Sequence, residues 1–89
     1  MNKKEKEIIK GRAHMAYFKA MKESLKDKTS VKYKEAKSAY LEILVLMMSL
    51  CPDNSNEKEF FGWTEVEKEK IEVEANHWWR ENNLKSADF

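Results

Sequence analysis

The sequence predicts one all-α domain spanning residues 1–89, a compact three-helix bundle, on three observations. Glycine and proline are scarce, two and one in the whole chain, whereas sheets of many short strands need both at their turns. Apolar residues recur at intervals of three and four over long stretches, the period of a helix face. The one turn-rich segment, "PDNSNEKEFFGW" at residues 52–63, separates helical patterns rather than strand-like ones. A chain of 89 residues holds one modest core, burying roughly 60–65% of its unfolded surface.

The first helix is expected over about residues 4–26. Its apolar stripe is Ile8, Gly11, His14, Met15, Phe18, Met21 and Leu25. Ile9, Ala13, Ala16 and Ala20 form a second row on the other side, small enough to lie exposed or to let another helix approach. "KDKTS" breaks the pattern, and Thr29 or Ser30 is a suitable N-cap for the next helix. That second helix runs over about 31–50 and stops before Cys51-Pro52, because proline disfavours helix at the residue before it. Its second half is apolar nearly all round, leaving only Glu35, Ser38, Glu42 and Ser49 as a polar strip. Helices this apolar sit at the centre of a bundle, so the second helix is expected there.

Asn56-x-x-Glu59 starts a short helical turn near 56–61 that Gly62 closes. Thr64-x-x-Glu67 reads as a capping box, in which the two side chains satisfy each other's free backbone donors. It opens a third long helix over about 65–83. There Val66, Val73, His77 and Leu84 line one side, and Ile71, Ala75 and Trp78 a second side about 140° away.

Net charge is +1, a value that hides a division. Residues 1–40 carry eleven lysines and Arg12 against five acids, a net of +7. Residues 41–89 carry five bases against eleven acids, a net of −6. Such asymmetry points either to a charged partner or to halves that pack antiparallel and soften each other's fields. The single cysteine, Cys51, excludes an internal disulfide framework and suits a reducing, cytoplasmic setting. The N-terminal segment lacks the apolar run of a signal peptide. The longest apolar run, "YLEILVLMMSLC", contains Glu42 and is too short to span a bilayer.

Catalytic and cofactor motifs are weak throughout, so the sequence predicts no enzyme, no metal and no cofactor. Glu74-x-x-His77 has the spacing that di-iron bundles use, but such sites need two such motifs and further carboxylates. A homodimer sharing Glu42 could supply the set, but Glu42 lies in a polar strip facing away from the core, and the pair reads as surface neighbours. His14 reads as a core-edge histidine and Cys51 as a small buried hydrophobe. Two isolated glycines cannot build a phosphate loop.

Binding surfaces remain. Trp79 lies about 100° round the helix from Trp78, beside a glutamate ridge; Trp78 is assigned to packing and Trp79 to contact. The favoured protein interface is Trp79, Arg80 and the Glu65–Glu69–Glu72 ridge, since Trp and Arg dominate binding hot spots. Phe61 and Trp63 of "EFFGW" either plug the end of the bundle or extend that interface. The expected function is stoichiometric: a small regulator or inhibitor of another protein, of bacterial or phage accessory type. Its partner is another protein, such as a nucleic-acid-binding enzyme whose groove an acidic surface would occupy, and self-association as a homodimer through the second apolar stripe of the third helix, Ile71, Ala75 and Trp78, is a companion reading. The alternative is non-specific nucleic-acid binding through Lys10, Arg12, Lys19, Lys22, Lys26, Lys32 and Lys34 along the phosphate backbone.

Overall fold

A computed structural model describes the backbone of residues 1–87 and the side chains of residues 1–82. It is all-helical: α1 (Lys3–Lys26), α2 (Val31–Leu50), α3 (Glu57–Phe61) and α4 (Glu65–Ala87). Side chains set the boundaries. Asn2 caps α1 by accepting from the Glu5 N–H. Ser30 caps α2 through Tyr33, while Thr29 is taken up by the Asp27 carboxylate. Asn56 caps α3, and Gly62 ends it in the left-handed region at φ 73°, where a residue without Cβ costs least. The hydroxyl of Thr64 accepts from the Glu67 N–H at 3.4 Å and starts α4. The Glu67 carboxylate instead pairs with Lys10 at 3.8 Å and Lys70 at 4.0 Å.

The central helix is α1, not α2. α1 packs along both α2 and α4, and among the described residues no Cα of α2 comes within 8 Å of one of α4. Tyr17 adjoins Tyr40, and Ser24 shares a cleft with Tyr33, so α1 and α2 run antiparallel. Lys10 meets Glu67, Tyr17 meets Glu72 and Lys22 meets Trp78, so α1 and α4 run parallel. The basic and acidic halves therefore meet chiefly across a parallel helix pair, not the antiparallel packing that was one of the two readings of their charge. Extents of 54 × 23 × 18 Å make the molecule elongated.

The physical reason for the exchange of centre is that a middle helix needs two narrow docking faces rather than one wide one. On α1 the alanine row supplies the first: Ala13 and Ala20 are buried and Ile9 and Ala16 are packed against the core. Small side chains let a neighbouring backbone approach closely. The expected stripe is only partly a packing face, for Met15 is 74% and Ile8 52% exposed, while Phe18 packs against the core. On α2, Ala36, Tyr40 and Met47 point inward, and Leu41, Val45, Leu46, Met48 and Leu50 stay largely exposed. On α4, Ile71 and Ala75 are buried, whereas Val66 and Val73 of the other row are exposed. Leu84 lies outside the residues whose side chains are described.

Trp63 joins the layers. Its indole, 1% exposed, sits edge-on to Tyr17 of α1 and Tyr40 of α2 at centroid distances of 5.8 and 6.3 Å. Its N–H donates to the Tyr40 hydroxyl at 3.0 Å, so a large ring is buried without an orphaned donor. Among the described residues, no buried side-chain polar atom lacks a partner.

Candidate functional site

On α4, Glu65, Glu72 and Trp79 are spaced seven apart and share a flank, with Glu69 and Arg80 beside it. Glu65 is exposed and pairs with Lys58 at 3.2 Å and Lys68 at 3.5 Å. The hydrogen bond from Lys58, with the Lys68 charge, holds its carboxyl below the ordinary value. Half-buried Glu72 accepts the Tyr17 hydroxyl hydrogen. Partial burial, then that bond, pushes the Tyr17 phenol well above its ordinary value. Trp79 is half-buried and Arg80 exposed. The predicted ridge thus lies on one flank, on the side that Tyr17 faces. Trp78, on the adjoining face, is half-buried beneath the ammonium groups of Lys22 and Lys26, at 5.0 and 5.3 Å from its ring.

Phe61 and Trp63 do not belong to a surface. They are 3% and 1% exposed, and the interface expectation for them is corrected: both belong to the core cluster, with Trp63 against Tyr17 of α1 and Tyr40 of α2. Phe60 is the partly exposed member of that cluster, with the Lys6 ammonium 3.9 Å above its ring.

The seven candidate basic residues divide. Arg12, Lys19 and Lys26, seven apart, share one face of α1 with Lys22 nearby. Lys10 turns to the other side and pairs with Glu67. Lys22 and Lys26 cover Trp78, and Lys26 also pairs with Glu23 at 3.6 Å. Lys19 and Lys32 line a cleft of about 550 Å³ between α1 and α2 that also takes in Glu23 and Glu35. Lys34 is exposed.

A feature that sequence reasoning missed lies on the other side of the α1–α2 contact. An apolar cleft of about 190 Å³ is lined by Tyr17, Ala20, Met21, Ser24, Tyr33, Lys37, Tyr40 and Leu41. It exists because α2 and α4 do not close over α1. Tyr33, Lys37 and Leu41 are four apart, and Tyr17, Met21 and Ser24 follow at four and three. The spacing signal was present, but which rows would face each other across an opening was not. Tyr17, in its lining, donates its hydroxyl hydrogen to Glu72 of α4.

The isolated titratable groups are arranged as follows. His77 pairs with Glu81 at 3.0 Å rather than with Glu74. Glu74 lines a cleft with His14, Phe18 and Lys22. Cys51 caps α2 only partly buried, its thiol donating to the Ser55 carbonyl at 3.2 Å. That partial burial and nearby Glu57 and Asp53 push the thiol up. Among the described residues, no three His, Cys, Asp or Glu side chains group to hold a metal ion, and no helix is long and apolar enough to cross a membrane. Comparison with protein-family models, curated proteins and solved structures gives no match.

Proposed function

We propose that this chain is a non-catalytic protein-binding module, a stoichiometric regulator or inhibitor of another protein. The observation that carries the reading is the open apolar cleft between α1 and α2, walled by Tyr33 and Leu41 of α2 and linked to α4 by the Tyr17–Glu72 hydrogen bond. A groove of aromatic and aliphatic side chains with lysine and glutamate at its rim suits the apolar face of a partner helix. The contact residues proposed are Trp79, Arg80, Met21, Tyr33 and Leu41, with Glu69 and Glu72 selecting a basic rim on the partner.

The test is capture by tagged protein, with nuclease treatment and with Trp79→Ala and Tyr33→Ala compared with wild type. Partners held through the cleft persist after nuclease and at moderate salt. Each substitution weakens them by about 2 kcal/mol or more, roughly 30-fold, as for a hot-spot residue. Partners that disappear with nuclease and ignore both substitutions would reverse the proposal. That outcome favours the second reading, non-specific nucleic-acid binding, which has one observation behind it: Arg12, Lys19, Lys22 and Lys26 lie along one side of α1. Phosphate contacts of that kind weaken steeply with salt.

A further inference from the structure

Among the described residues, the outer face of α2 packs against no other helix. Leu41, Val45 and Met48 are 48%, 61% and 60% exposed and fall four and three apart, forming one stripe. From residue 43 to residue 52 the sequence holds no charged side chain; Ser49, bonded to the Val45 carbonyl, is the polar side chain of this half of α2. Exposed apolar stretches of this kind mark contact surfaces.

Surface area points to what covers it. The chain exposes 6594 Å². A compact monomer of 10.6 kDa exposes about 5,500 Å² by the usual scaling of area with mass. That surplus of about 1,100 Å² comes from the elongated shape and the open α1–α2 cleft as well as from the α2 stripe, and it leaves room for the ~800 Å² that each partner buries in a standard-sized interface.

Charge points to the orientation. On the stripe side the start of α2 is basic, with Lys34 and Lys37, and the segment beyond its end is acidic, with Asp53, Glu57 and Glu59. Two copies of α2 crossing antiparallel about Val45 place each basic end toward the partner's acidic segment. A parallel crossing sets lysines against lysines. A two-fold contact of this kind is self-complementary and closes at two copies.

We propose that the α2 stripe centred on Val45 and Met48 is the interface of an antiparallel homodimer. The stripe adjoins the cleft assigned to a partner and shares Leu41 with it, so Leu41 is left unaltered in the test. Sedimentation equilibrium of wild-type protein is expected to show twice the 10.6 kDa chain mass, with a dissociation constant of about 10 µM or tighter. Val45→Lys is expected to give a monomer with an unchanged helical circular dichroism spectrum, since Val45 is mostly exposed. Orientation is read by air oxidation in a Cys51→Ser background. Val45→Cys, at the two-fold axis, crosslinks the dimer, whereas Met48→Cys, displaced from it, does not. A wild-type chain that stays monomeric at about 100 µM, ten times that dissociation constant, overturns the proposal, as does a Val45→Lys chain that still dimerises. Equal crosslinking at both positions overturns the antiparallel arrangement. If Val45→Lys fails to fold, the crosslinking pair decides alone. Loss of the dimer with capture through Trp79 intact separates this inference from the proposed function.

Discussion

Trp63, in the segment leading into α4, touches both Tyr17 of α1 and Tyr40 of α2, so its polar edge offers a sharp test of how the layers are joined. Tyr40→Phe keeps the phenyl ring and removes one oxygen. The Trp63 N–H, 3.0 Å from that oxygen and buried among apolar groups, then has no acceptor. Losing one partner of a buried hydrogen bond costs about 1–3 kcal/mol, more than the bond's net worth, because the remaining donor stays desolvated. For a domain of this size each kcal/mol lowers Tm by roughly 4–8 °C. Urea unfolding followed by tryptophan fluorescence measures it: the midpoint should fall while the slope stays constant. Trp63→Phe supplies the control. It costs more, through the cavity it leaves, but removes the donor, so Tyr40→Phe added to it should cost close to nothing. The cycle should show a coupling of about 1–2 kcal/mol. Additive losses, or a Tyr40→Phe cost below about 0.5 kcal/mol, within the usual scatter of additivity, would mean that the indole finds another acceptor and that Tyr40 and Trp63 are not coupled as described.

Three further outcomes are expected. Ala13→Leu should destabilise by about 1–3 kcal/mol because it overpacks a fully buried helix contact, whereas Met15→Ala should stay within about 0.5 kcal/mol at its exposed position; chemical denaturation of the two variants checks which row of α1 is the interior one. Gly62→Ala should cost about 1–2 kcal/mol, read as a fall in Tm, because the strain of a left-handed backbone with a Cβ dominates; a Cβ there would meet only the flexible end of Lys10, at 3.4 Å. The Tyr17 phenol has a raised pKa in the folded state, so the native chain keeps a proton that the unfolded chain releases above about pH 10. Its contribution to stability is whole below that pH and declines above it, and Tyr17→Phe should flatten the decline in unfolding experiments run from pH 9 to 11.

Helix existence and ends were legible because they are local. Ser30, Asn56 and Gly62 act through residues two or three away, and Cys51-Pro52 stops α2 without help from the rest of the chain. Which helix lies at the centre was not legible, because that depends on how faces are shared among elements. The Ile9–Ala20 row was visible as small residues on a helix side, but small residues are compatible with exposure and with close packing alike. α2 showed the opposite ambiguity: its apolar circumference suits a buried helix and equally one that keeps an outer face for another molecule. At the candidate site, the Glu65–Glu72–Trp79 flank was readable from seven-residue spacing. The cleft facing Tyr33 was not, since it is defined by the absence of contact between α2 and α4.

The division of charge between the halves illustrates how such a pattern can be read two ways. Parallel neighbours such as α1 and α4 align their macrodipoles, a mildly unfavourable arrangement. Opposite side-chain charge along the seam offsets it: Lys10 faces Glu67, and Lys68 of α4 lies 5.6 Å from the Tyr17 ring, whose hydroxyl binds Glu72. Near the end of α1, Lys22 and Lys26 cover Trp78 rather than an acid. Pairs this exposed contribute little each, about 0–1 kcal/mol, so they select which helices adjoin more than they hold them together. Three of the seven candidate phosphate-binding residues, Lys10, Lys22 and Lys26, are thereby engaged within the fold. What remains for an external anion is the Arg12–Lys19 side of α1, a shorter and weaker track than the composition of residues 1–40 suggests.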